Sequence, residues 1–380
     1  MQRSTDHILT THTGSLPRPA DLAEVLVAKD EGREYDPDAL AQRVAAAVDE
    51  VIRRQVEIGL DVIDDGEMSK PSYVSYVKDR LTGFDGESIP RPGGADRLDF
   101  PGFEATTRGG LGGRRLPSCD GPIALEDADA VHHDLANFRT ALGKAHATDA
   151  FVTAASPGQI TRWLDNTYYR THEEYLYALA EAMKPEYRAI VEAGYVLQLD
   201  CPDLASGRHS NFPDAPLEEF LKYAELHIEA LNYALEGLPP DQIRMHLCWG
   251  NYAGPHHRDV ELKDIIQVVF KGRPNGILFE GANPRHAHEW KLFEHVKLPE
   301  GKVLIPGVVE SCSPYIEHPE LVAQRIVQLA RLVGRENVMV GSDCGFGTWV
   351  GGGGSLHPGI AWAKLESMVQ GARLASAELW

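Results

Sequence analysis

Short apolar runs recur along the chain at 8–14, 61–65, 151–155, 195–200, 243–248, 277–281, 303–309 and 338–343, each giving way to polar or Gly-rich residues and then to apolar positions at helical spacing. Alternating strand and helix patterns specify parallel strands joined by crossover helices, and eight such units are the number that closes a (β/α)8 barrel. The expected fold class is therefore α/β, a TIM barrel built as one domain over 1–380. Several helices can be placed directly. Thr171-His-Glu-Glu174 is a capping box opening a helix with Tyr175, Leu176, Leu179, Ala182 and Met183 on one side, kinked at Pro185 and ended by Gly194. Stretches 217–235, 260–271, 319–333 and 360–379 carry the same periodicity.

Two segments break the pattern. Between the second and third strands, 83–146 is too long for a barrel connection and is rich in Gly, Pro, Arg and Asp. It reads as an inserted hairpin or lid, with Arg108, Arg114 and Arg115 either covering the active face or decorating the surface. After the last strand, 345–355 is Gly-rich and reads as a gating loop.

The chemistry follows from where the strands end. His246 and Cys248 are two apart at the end of a short buried strand, so they share a face, and both residue types bind zinc. The runs ending at Glu280 and at Cys344 each place another ligand type where the apolar stretch stops. A carboxylate closing an apolar strand is costly to bury without a partner, which points to a cation. His246, Cys248, Glu280 and Cys344 are therefore expected to hold one Zn2+. Barrel enzymes collect their chemistry at these strand ends. The same ends carry His12, Ser15, Glu67, Asp200, Asp203, Glu310 and Cys312, which could line one pocket. His256, His257, His286 and His288 resemble a second metal cluster, but they are read as solvated loop residues.

Composition narrows the partners. A net charge of −19 repels nucleic acid and anionic membrane surfaces, leaving small molecules as the expected ligands. There is no apolar run of membrane-spanning length and no signal-peptide core, so the chain reads as cytoplasmic. Five cysteines, 119, 201, 248, 312 and 344, form an odd set that suits free thiols and metal ligation over a disulfide framework. Cys119 is assigned no role.

Thr10-Thr-His-Thr-Gly-Ser-Leu-Pro-Arg18, Asp65-Gly-Glu67, Gln198-Leu-Asp-Cys-Pro-Asp203, His246-x-Cys248 and Asp343-Cys-Gly345 resemble the motifs of the cobalamin-independent methionine synthase superfamily, over essentially the whole chain. Single-domain members include core methionine synthase-like proteins and epoxyalkane:coenzyme M transferases. The resemblance implies a zinc-bearing barrel that transfers a methyl group to homocysteine. In it His246, Cys248, Glu280 and Cys344 match the zinc ligands, and Ser15, Glu67 and Asp200 match the residues that hold the amino acid end of homocysteine. Two positions depart from the family: Cys201 stands where Glu is usual, and Cys312 replaces a proton-handling histidine, which leaves room for an alkyl donor other than a folate. His12, Glu310 and Glu317 are the candidate acids, and Trp163, with Tyr168 and Tyr169, is placed to stack on a flat, pterin-like donor. Three readings stand: homocysteine S-methyltransferase, a thiol alkyltransferase of the coenzyme M and epoxide type, and a non-catalytic zinc- or thiol-binding barrel. Thiolate-rich ligation disfavours hydrolysis, which calls for ligands that acidify water.

Overall fold

The computed structural model describes residues 1–89, 94–103, 115–351 and 356–380. Among the described residues, seven parallel strands lie in sequence order in one curled sheet: β1 (Val62–Ile63), β2 (Asp149–Ala155), β3 (Val196–Asp200), β4 (Ile243–Leu247), β5 (Gly276–Phe279), β6 (Val303–Val309) and β7 (Gly341–Ser342). This is a TIM-barrel-like α/β architecture. The first apolar run forms no named strand, yet Leu9–Thr11 is hydrogen-bonded on both sides. Thr11 N donates to Val340 O (2.8 Å) and Val340 N to Leu9 O (2.9 Å), while Val62 N donates to Thr10 O (3.0 Å). A parallel bridge joins Thr10 to Val340.

The helices are α1 (Ala20–Asp30), α2 (Pro37–Ile58), α3 (Ala95–Leu98), α4 (Asp129–Leu142), α5 (Pro157–Trp163), α6 (His172–Glu192), α7 (Gly207–Asn211), α8 (Leu217–Ala234), α9 (Leu262–Val269), α10 (Pro319–Val333) and α11 (Pro358–Leu379). Their ends follow local chemistry. Asp36 caps α2 by accepting from Asp38 N and Ala39 N, with Pro37 at the first turn, and Gly59 ends it in the left-handed region at φ 88°. Thr171 caps α6 by accepting from Glu174 N. The Glu174 carboxylate returns to Arg170 N, one residue short of a full capping box. Pro185 sits inside α6, which runs on through it. Among the described residues, no helix is long and apolar enough to cross a membrane.

Because parallel strands are buried on both faces, the core divides in two. Most apolar side chains pack between sheet and helices, whereas Leu9, Val62, Phe151, Val196, Ile305 and Met339 belong to a separate cluster drawn from neighbouring strands. Above Phe151 lies the fully buried Arg244, its guanidinium carbon 3.7 Å from the ring centroid. Arg244 donates to Gln198 Oε1 (2.9 Å), Thr11 Oγ1 (3.1 Å) and the His12 carbonyl (3.2 Å), tying the first segment to β3 and β4.

The segment expected as a lid over 83–146 behaves differently in its two parts. α4 packs in the outer layer against α2 and α6 as a crossover helix, so the excess ends before it. The earlier part is hairpin-like, with antiparallel bridges Leu81 to Leu125 and Gly86 to Ser118. Arg108, Arg114 and residues 352–355 of the Gly-rich loop lie outside the described residues. Arg115 is exposed, and the start of that loop is packed down, with Val350 N donating to Pro71 O (2.9 Å).

Candidate active site

A cavity of about 560 Å3 opens at the C-terminal ends of the strands. His246, Cys248, Cys344, Ser15, Glu67 and Asp200 all line it, as does Trp163. The first three are buried, and their donor atoms lie within 4.8 Å of one another. His246 is the penultimate residue of β4 and Cys248 follows the strand, so the strand alternation carries both toward Cys344 beyond β7. His246 Nε2 stands 3.8 Å from Cys344 Sγ. Two ligands of one tetrahedral zinc, at Zn–S of about 2.3 Å and Zn–N of about 2.0 Å, stand roughly 3.6 Å apart, so the pair fits that ion closely. The other imidazole nitrogen, Nδ1, is held by Asp200 Oδ1 at 3.1 Å, the outer support that metal-binding histidines need.

The two thiols differ in electrostatics. A hydrogen bond from Cys344 holds Cys248 well below the ordinary thiol range, and the same bond, reinforced by burial, pushes Cys344 well above it. Burial opposes charge on His246, but Cys248 and Asp200 raise it to about 10. Glu280 follows β5 and is buried next to this set, but among the described residues it is not one of the donors within 4.8 Å of each other. Its oxygens accept from Trp249 N (2.8 Å) and Asn283 Nδ2 (2.8 Å). Burial, then Cys248 and Asp343, lift its pKa to about 8.

Beside the donors, Glu67 sits in the left-handed region at φ 57°, unusual for a residue with a side chain. Arg18 fixes it there by donating from Nε and Nη2 to the Glu67 carbonyl, and Asp65 accepts from its amide at 2.9 Å. Thr153 Oγ1 donates to Oε1 (2.9 Å), whereas among the described residues the buried Oε2 has no hydrogen-bond partner and the Arg18 guanidinium is 4.0 Å away. Burial raises Glu67 to about 7, offset by Lys70 and reinforced by Asp200. Gly14 permits this arrangement, since a Cβ there would stand 2.9 Å from Glu67 Oε1.

The proposed acids go elsewhere. His12 does not line the cavity. It is fully buried against Gln55 (2.8 Å) and Asp64 (3.3 Å), edge-on to Phe151, and burial lowers its pKa to about 3. The Glu310 carboxylate is consumed by its own loop, accepting from Cys312 N (2.6 Å) and Ser313 N. Glu317 pairs with the buried Lys364 at 2.9 Å. Cys312 lies behind the wall with Sγ 3.0 Å from Asn251 Oδ1, and burial, then Glu310, push its thiol well above the ordinary range. Cys201 and Asp203 are also buried off the cavity; Asp203 binds His227 at 2.7 Å. Tyr168 is exposed, and Tyr169 packs on Tyr175.

The sequence reading missed one wall. Tyr73 accepts from Trp163 Nε1 (2.9 Å) and Gln159 Nε2 (2.7 Å), and Trp349 packs edge-on to Trp163 with centroids 5.2 Å apart. An aromatic within a Gly-rich loop was the available signal for Trp349. Asp343, named only as part of the motif around Cys344, has a role of its own: it accepts from Gly281 N, Ala282 N and Asn283 N, binding the loop that follows Glu280 to the residue preceding Cys344.

A model of the cobalamin-independent synthase catalytic domain matches residues 8–88 and 144–373, omitting most of the insertion. A methionine synthase of Saccharolobus islandicus is 27% identical over 374 residues, covering 97% of this chain and 95% of that one. That of Sulfolobus acidocaldarius is 27% identical over 373 residues, covering 97% and 93%. Among solved structures, a B12-independent methionine synthase from Shewanella sp. W3-18-1 in complex with selenomethionine superposes with a TM-score of 0.75 at 19% identity, covering 98% and 99%. A putative vitamin-B12 independent methionine synthase from Listeria monocytogenes gives 0.68 at 20%, covering 100% and 99%.

Proposed function

The chain belongs to the cobalamin-independent synthase catalytic-domain family, and from that premise we propose that it is a methyltransferase that moves a methyl group to the sulfur of homocysteine, yielding methionine. One observation carries this reading: three buried metal donors and a carboxylate with an unpartnered oxygen, Glu67 Oε2, meet at one cavity. The curated relatives that align over almost their full length are named methionine synthase.

In this reading His246, Cys248 and Cys344 hold zinc, with Glu280 as the exchangeable fourth ligand. When bound there, such an ion would supply deprotonation of the substrate thiol at neutral pH and keep it nucleophilic. Asp200 orients His246 through Nδ1. Glu67 Oε2 receives the ammonium group of the substrate, and Ser15 and Asp200 complete the hold on its amino acid end. This polarity separates homocysteine from coenzyme M, which has no amine to satisfy Glu67. Trp163, backed by Tyr73 and Trp349, offers a flat face to a folate-like methyl donor. Neither His12 nor Glu310 handles a proton of the reacting groups in this scheme.

We extend the fold reading in the same way: Leu9–Thr11 serves as the eighth strand and closes a (β/α)8 barrel, and 1–380 acts as one domain. Five unpaired cysteines suit a reducing compartment, the cytoplasm.

Calorimetric titration of zinc-loaded protein with L-homocysteine and with coenzyme M tests the acceptor independently of the donor. Homocysteine binding alone is expected, and methionine should appear when methyltetrahydrofolate is added. Binding of coenzyme M alone overturns the assignment.

A further inference from the structure

Outside the thiolate set, three imidazoles surround one buried carboxylate. His256 Nδ1 lies 2.7 Å and His286 Nε2 3.1 Å from Asp259 Oδ2, and these three donors lie within 4.8 Å of one another. His209 Nδ1 approaches the other oxygen, Asp259 Oδ1, at 2.9 Å. All four side chains are more than nine-tenths buried. They come from three strand ends: His209 from α7 after β3, His256 and Asp259 from the loop after β4, and His286 from the loop after β5.

We propose that His256, Asp259 and His286, with His209 as fourth donor, bind a second divalent transition-metal ion, held by nitrogen and oxygen ligands and separate from the thiolate site. Two features point to a ligand. First, His209 Nδ1 and Asp259 Oδ1 are buried and face each other at 2.9 Å, and among the described residues neither makes an aligned hydrogen bond. Donors at about 2.1 Å from one tetrahedral ion stand roughly 3.4 Å apart, so this 2.9 Å pair would open by about half an ångström around a bound ion. Second, the outward nitrogens are already anchored. His286 Nδ1 meets Glu289 Oε2 at 3.0 Å, and His256 Nε2 meets the Tyr252 carbonyl at 3.1 Å. Carboxylate or carbonyl support of this kind fixes ring orientation in metal sites. Admitting an ion asks the His256 and Asp259 donors, 2.7 Å apart, to separate by about 0.7 Å. Two histidines and a carboxylate, with a third imidazole, suit zinc or another first-row ion of similar preference.

The ion's task is structural. The His256 amide donates to Asp96 Oδ2 (3.2 Å), which also receives the Tyr252 hydroxyl, so the site ties α3 of the insertion to the loop after β4. His209, Tyr252 and Arg97 line the cavity. The bound ion therefore braces the outer rim of the pocket and takes no part in thiol chemistry.

Zinc counting by mass spectrometry after chelator stripping, reloading with zinc and removal of free metal tests this without an activity assay. Wild type is expected to hold two ions per chain. The Cys248→Ser/Cys344→Ser variant should keep one, and the His256→Gln/His286→Gln variant should also keep one, the thiolate-bound ion. All four substitutions together should leave none. The proposal is overturned if Cys248→Ser/Cys344→Ser holds no zinc, or if adding His256→Gln/His286→Gln to it leaves its zinc in place. Cobalt loading of Cys248→Ser/Cys344→Ser, in which the cluster is intact, guards against a rim that misfolds on substitution. It should give d–d absorption without thiolate charge transfer, and no cobalt absorption refutes the site. Protonated imidazoles paired with Asp259 are then the whole account of the cluster. The separate counts also distinguish this failure from loss of the thiolate-bound ion.

Discussion

Replacing Glu67 by Gln should weaken homocysteine binding and stabilise the free protein at the same time. Gln has nearly the same shape, keeps an acceptor for Thr153 Oγ1, and mimics the protonated carboxyl. The lost charge-assisted bond to the substrate ammonium is worth about 1.5–3 kcal/mol, or roughly a 10- to 150-fold rise in Kd. Stability moves the other way. Glu67 is held at about 7 against an ordinary 4.5, chiefly by burial. A carboxyl with a raised folded pKa destabilises the fold above that pKa, and the effect fades as pH falls from 7 to 4.5. The full cost is about 3 kcal/mol, so Glu67→Gln should gain up to that at pH 8 and little near pH 4.5. Calorimetric Kd values, and urea unfolding of the free protein at several pH values, check both halves. A variant that binds homocysteine as tightly as wild type refutes the ammonium contact. One that loses stability at pH 8 shows that Glu67 supports the fold instead of straining it.

Cys248→Ser or Cys344→Ser should abolish binding at the thiolate site and methyl transfer together, measured by thiolate charge transfer in the cobalt-loaded protein, whereas Cys119→Ser should leave both unchanged. Gly14→Ala places a Cβ 2.6 Å from Thr153 Cγ2 at a φ of 119°; a loss of roughly 2–4 kcal/mol in urea unfolding is expected, with weaker homocysteine binding as Glu67 is displaced. Trp163→Phe removes the bond to Tyr73 and part of the flat wall, so KM for methyltetrahydrofolate should rise about tenfold while the homocysteine Kd stays put.

Much of this site was legible because barrel strands are apolar runs whose ends mark the working face. His246, Cys248 and Cys344 were found from strand ends alone, and Ser15, Glu67 and Asp200 from motifs at the same places. His12 shows the limit. It occupies a strand-end position too, but a strand buried on both sides gives no sign of which residues face inward, and His12 turns to α2 and Gln55. Glu310 and Glu317 were misjudged because their partners, loop amides and Lys364, are set by tertiary structure. His256 and His286 looked like scattered loop residues until folding gathered them around Asp259. Within the expected insertion, the helix at 129–142 follows a Gly-rich stretch, and only packing assigns it to the outer layer.

The seam between the first apolar run and the last strand bears on how the protein is made. Thr13 Oγ1 donates to the carbonyl of Ser342, 329 positions later. During synthesis this segment can pair with β1 once Val62 has followed it, but its other edge has no partner until Val340 and Ser342 are made. The pocket shares this delay, since Ser15 and Cys344 come from the two sides of the junction. The pocket therefore cannot be completed until the last strand has been made, and up to that point one edge of the first segment stays open.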